Sequence, residues 1–100
     1  MKTVVLIEGV RTPIGKHGGS LCTVTAQELL AETFKTLLER VDVDPQAIDE
    51  VIAGCVGQYS DAVNIGRVSA LMAGLPAGIP ACTIQRNCVS GMMSLSMAYQ

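Results

Sequence analysis

The chain has 100 residues, 49% of them apolar, with seven Lys and Arg against nine Asp and Glu for a net charge of −2. That length holds one small domain at most, the apolar content speaks against a disordered segment, and a mildly acidic chain with no basic patch speaks against a nucleic-acid binder. No apolar run has membrane-spanning length, and the short run before Glu8 and Arg11 reads as a strand rather than a signal peptide.

In chain order, residues 3–10 carry the near-continuous apolar run Val4-Val5-Leu6-Ile7, which predicts a strand buried on both faces of a parallel sheet. Pro13 and Gly15 end it, and residues 16–20, with Gly18 and Gly19, form a surface loop. Neither dinucleotide-binding nor Walker glycine spacing is present there. Thr25-Ala26-Gln27-Glu28 is a capping box, with Thr25 as N-cap and Glu28 three positions on. Leu30, Phe34, Leu37, Leu38 and Val41 then recur at helical spacing, predicting an amphipathic helix that covers the sheet with one face. Asp44-Pro45 reads as a cap followed by Pro at the first position of a short helical turn.

Residues 50–58 are apolar on both parities and predict a second buried strand, with Gly54 and Gly57 leaving room for close approach. Asn64 caps a second helix, with Ile65, Val68, Leu71 and Met72 on one face and Gly74 and Pro76 stopping it. Residues 81–86 predict a third strand, and a third helix starts at about Ser90. That helix is apolar nearly all round, so it belongs inside a larger body. It meets no breaker or basic cap before Gln100, so we expect the element to be cut short there. The order βαβαβα implies an α/β fold with a parallel sheet and right-handed crossovers.

The four cysteines are Cys22, Cys55, Cys82 and Cys88, with no Cys-x-x-Cys pair and no Cys/His cluster. No zinc site is expected, and reduced thiols in the cytoplasm are. Cys88 stands apart because it falls between a strand and a helix. Unpaired N–H groups and the positive end of the helix favour a thiolate there, and the same N–H groups can cradle an oxyanion. The bland alternative is a buried, inert thiol. Cys55 and Cys82 fall on strands and read as core, and packing is the favoured reading for Cys22. His17, the one histidine, lies in the glycine loop far from Cys88 in sequence and reads as solvent-facing. Arg86 either helps the thiolate or makes a subunit contact, Asn87 suits a left-handed turn position, and the Met-rich run of the third helix reads as packing. One thiol at a helix start does not complete a catalytic cycle: a base and a second oxyanion group are missing.

Asn87-Cys88-Val89-Ser90-Gly91-Met92 resembles the active-site loop of the thiolases. Val10-Arg11-Thr12-Pro13-Ile14-Gly15, Asp49-Glu50-Val51-Ile52-Ala53-Gly54, Asn64-Ile65-Gly66-Arg67 and Ala73-Gly74-Leu75-Pro76 resemble other family segments in the family's order. The resemblance implies that residues 1–100 are part of the family's N-terminal domain. The family's fold is a five-layered αβαβα sandwich of two similar halves, with a helix from each half buried between the sheets. The implied activity is acyl transfer between coenzyme A thioesters: thiolytic cleavage of a 3-ketoacyl-CoA, or Claisen condensation of two acetyl-CoA molecules. Cys88 would be the nucleophile and acyl carrier, and its backbone N–H an oxyanion donor. The family's activating His, second Cys and water-orienting Asn have no counterpart here, and no coenzyme A contact can be placed. Val89 departs from the Gly found at that position in many biosynthetic members. The resemblance implies no bound cofactor or metal, acyl-CoA and CoA as partners, no nucleic acid or membrane partner, and a homodimer or homotetramer. Two other readings compete: a decarboxylating ketoacyl synthase, which the Arg11-Thr12-Pro13 opening speaks against, and a non-catalytic thiolase-like subunit or fragment.

Overall fold

In the computed structural model, which describes residues 2–100, an α-helix precedes a parallel β-α-β unit and a second helix follows it. We number these elements α1 (Ala26–Arg40), β1 (Val51–Gly54), α2 (Ile65–Met72), β2 (Ala81–Ile84) and α3 (Ser90–Tyr99), with a 3-10 turn at Pro45–Ala47. The local signals act where the sequence places them. Thr25 Oγ1 accepts the Glu28 N–H at 3.2 Å while Glu28 Oε2 accepts the Thr25 N–H at 2.8 Å, closing the capping box. Asp44 caps the 3-10 turn through the Gln46 N–H, with Pro45 in its first position. Asn64 Oδ1 accepts the Arg67 N–H at the start of α2. At the other end Gly74, at φ 81°, lets the Leu75 N–H reach Ala70 O and its own N–H reach Leu71 O, the paired closure that ends a helix.

β1 and β2 pair in parallel from Val51↔Ala81 to Gly54↔Ile84, and the Cys55 N–H extends the ladder to Ile84 O at 3.0 Å. The second and third expected strands are therefore present but shorter than read, because pairing ends where the chain turns at residues 55 and 85. α2 packs on both strands through small residues. Gly66 has no room for a side chain, since an added Cβ would lie 2.7 Å from Cys82 O. This close approach rotates α2 away from the expected face: Ile65, Gly66, Ser69 and Ala70 are buried, while Leu71 and Met72 are exposed. α1 packs chiefly on α2 rather than covering the sheet. Phe34 and Leu38 meet Ala70, Leu75 and Ile79, which form the core with Ile48 and Val51. Buried Ser69 ties the two helices by donating to Gln27 O at 3.1 Å.

The expected first strand is not formed. Residues 3–10 join no ladder, and Val4, Val5, Leu6 and Ile7 are 54%, 67%, 78% and 75% exposed. Ladder pairing needs backbones about 4.8 Å apart. Gly9 and Val10 instead line a crevice of about 830 Å³ together with Glu50 and Ile52, and no backbone hydrogen bond joins them to β1. The apolar run marks a segment that favours burial; it does not supply the contact that would bury it. Among the described residues the α/β class and the parallel pairing hold, and the leading strand does not. α3 lies against β1 and β2 at its start but leaves Met92, Leu95 and Tyr99 exposed, in keeping with a helix read as apolar all round. No helix among the described residues is long and apolar enough to cross a membrane.

Candidate active site

β2 delivers the chain to a tight corner, residues 85–89, from which α3 departs. Asn87 sits at φ 50°, a left-handed conformation that Asn tolerates better than most residues. The Val89 N–H bonds Arg86 O and the Ser90 N–H bonds Asn87 O, each at 3.2 Å. Gln85 Oε1 accepts the Asn87 N–H at 2.7 Å. Cys88 is held at the apex of this corner with its thiol exposed.

The start of α3 is open. Val89, its N-cap, makes no side-chain capping bond. The N–H groups of Cys88, Gly91 and Met92 have no acceptor among the described residues. Three N–H donors within five residues, next to a thiol, can meet the negative oxygen that develops when a thiolate adds to a carbonyl. The corner rests on the sheet through Gly54: a Cβ there would lie 2.5 Å from the Ser90 carbonyl carbon and oxygen and 2.6 Å from the Gly91 nitrogen. The last residue of β1 must be glycine for α3 to begin where it does.

The other candidates fall elsewhere. His17 lies in an exposed turn and lines a crevice of about 490 Å³ with Lys16, Leu21 and Cys22, apart from Cys88. Cys22 is exposed rather than packed, because the turn that carries it stands on the surface. Cys55 is half-buried just past β1, its Sγ 3.2 Å from Gly57 O. Cys82 is half-buried on β2 with Sγ 3.9 Å from Glu50 Oε1; desolvation and then the Glu50 charge push this thiol up. Neither cysteine is the fully buried core residue read from the strand pattern, since a sheet of two strands leaves each an open edge. The Arg86 Nη1 reaches Met93 Sδ at 3.2 Å, placing its guanidinium over the first turn of α3. Ser90 has a role that sequence patterning missed. It is 4% exposed, its Oγ accepts the Arg86 N–H at 2.8 Å and donates to Asn87 O at 2.7 Å, and its one signal was a lone hydroxyl at the head of an apolar helix. Among the described residues no three His, Cys, Asp or Glu side chains gather as a metal site would require.

Residues 4–100 match the family model described as thiolase, N-terminal domain. The chain is 44% identical to a beta-ketoadipyl-CoA thiolase of Pseudomonas aeruginosa, over 99% of this chain and 25% of that protein. It is 42% identical to a steroid 3-ketoacyl-CoA thiolase of Mycobacterium tuberculosis, over 100% and 25% respectively. Among solved structures, the Bacillus anthracis acetyl-CoA acetyltransferase superposes with a TM-score of 0.82 at 41% identity, over 89% of this chain and 23% of that one. The chain thus spans about a quarter of the length of the relatives it matches.

Proposed function

The chain belongs to the thiolase family by its N-terminal domain, and on that premise we propose that the protein transfers acyl groups between coenzyme A thioesters through a Cys88 acyl-enzyme. The observation that carries the reading is the exposed thiol at the β2–α3 corner beside three unpaired N–H groups. In the first half-reaction the Cys88 thiolate adds to a carbonyl carbon, the C3 ketone of a 3-ketoacyl-CoA in the cleaving direction or the thioester carbonyl of acetyl-CoA in the condensing direction. The N–H groups of Cys88, Gly91 and Met92 are the donors available to the oxyanion. Collapse breaks the bond to the leaving group and leaves the acyl group on Cys88. In the cleaving direction the leaving group is the carbanion at carbon 2 of a 3-ketoacyl-CoA, which takes a proton and departs as acetyl-CoA; free CoA then receives the acyl chain from Cys88. In the condensing direction CoA leaves first, and carbon 2 of a second acetyl-CoA, once deprotonated, attacks the acyl-enzyme. The proton-transfer groups these steps need are not supplied by His17, whose crevice is separate from the corner.

The substrate is read as a class, acyl-CoA with CoA as acceptor, because the similar proteins are named for a beta-ketoadipyl, a steroid 3-ketoacyl and an acetyl substrate. Coenzyme A enters as substrate, and the chemistry asks for no bound cofactor. A reactive thiol is preserved in a reducing compartment, which supports a cytoplasmic location. The family membership is the ground for reading an assembly, a homodimer or homotetramer. The covalent intermediate has a kinetic signature. The protein should exchange labelled CoA into unlabelled acetyl-CoA with no second substrate present. Exchange that appears only when a second acyl-CoA is added would overturn the acyl-enzyme route.

A further inference from the structure

Serine at the N-cap of a helix turns its oxygen forward, accepting one of the free N–H groups of the first turn, and Ser90 stands one position past the N-cap Val89. Ser90 turns backward instead. Its Oγ accepts the Arg86 N–H at 2.8 Å and donates to Asn87 O at 2.7 Å, so one hydroxyl grips peptide groups on the N-terminal side of Cys88. Two consequences follow. The left-handed Asn87, which costs energy in a non-glycine residue, is held from both sides rather than left to relax. The Gly91 and Met92 N–H groups are left open, since neither the Val89 side chain nor the backward-turned Ser90 hydroxyl caps them. Ser90 itself is immobilised by burial, and its backbone rests on Gly54 with no space for a Cβ between them.

We propose that Ser90 is the positioning residue of the Cys88 corner, setting where the thiol stands relative to the open N–H groups of α3 while touching no substrate. The proposal rests on the acyl-transfer reading for its consequence in turnover, but its geometry can be tested without it. In the intact protein, Ser90→Ala should lower the rate of Cys88 acetylation at saturating acetyl-CoA by about tenfold or more, since ångström-scale displacement of a reacting group has effects of that size. The KM for acetyl-CoA should stay within about twofold, because no substrate contact is lost. Ser90→Thr, which keeps the hydroxyl, should recover most of the rate. An Ala variant that acetylates at the parental rate, or a Thr variant no better than Ala, would overturn the proposal.

If the unaltered protein is not acetylated at all, the acyl-transfer reading fails and Ser90 is judged on alkylation alone. Iodoacetamide should modify Cys88 more slowly in Ser90→Ala than in the parent, with exposed Cys22 as an unchanged internal reference; an unchanged Cys88 rate overturns the positioning role. If Ser90→Ala does not fold, amide exchange in the unaltered protein decides. The Arg86 N–H should exchange slowly because Ser90 holds it, and exchange at the rate of a free amide would contradict the clamp.

Discussion

Cys82 and Cys88 are six positions apart, and their surroundings divide their chemistry. Cys82 shares the β1–β2 pair with Glu50, and desolvation together with that carboxylate holds its thiol in the protonated form to higher pH. At about pH 8, near the ordinary thiol range, Cys82 should therefore alkylate more slowly than exposed Cys22. Glu50→Gln removes the negative charge, lowers the cost of forming the thiolate, and should speed Cys82 alkylation; no change in rate would mean that burial alone controls this thiol. Cys88 was legible in sequence as a thiol between a strand and a helix, and Asn87 as a residue suited to the left-handed turn that it occupies. Ser90 was not legible as a clamp. Side-chain direction at a helix start depends on the turn before it, and patterning reads only that a hydroxyl is present.

The capping box, the Asp44 and Asn64 caps and the Gly74 stop were all readable because each is a bond between neighbours in the chain, fixed by residue type and spacing. Thr25→Ala should accordingly cost about 1 kcal/mol in a denaturation experiment, and a cost near zero would show the cap to be dispensable. Longer-range placement was not readable. Helix α2 buries Gly66, Ser69 and Ala70 alongside Ile65 and leaves Leu71 and Met72 exposed, because Gly66 allows the close approach to β2. The same principle governs α3, whose start depends on the missing side chain at Gly54. Gly54→Ala meets backbone atoms that cannot swing aside. It should destabilise the protein by about 1–3 kcal/mol and slow Cys88 alkylation along with it. Full stability with altered Cys88 reactivity, or the reverse, would separate two effects that the structure links.

At the scale of the molecule, the sequence describes more burial than the structure supplies. Residues 3–10 were read as a strand from their apolar run, yet Val5 and Leu6 remain exposed beside the exposed Leu95 and Tyr99 of α3. Hydrophobicity is a property of residues, whereas burial needs a partner surface. The free 100-residue chain should therefore bind an apolar fluorescent dye, and Leu95→Lys should weaken that binding with a stability change within about 0.5 kcal/mol, as for other surface sites; absence of dye binding would mean that these surfaces are covered in solution. The central claim is that one thiol carries the acyl group for the whole protein. Mass spectrometry of the peptide containing Cys88, after incubation of the intact protein with acetyl-CoA, tests it most directly. The account predicts one acetyl group on Cys88, absent in Cys88→Ala and discharged when CoA is added. Acetylation that persists in Cys88→Ala, or no acetylation of the unaltered protein, would contradict it.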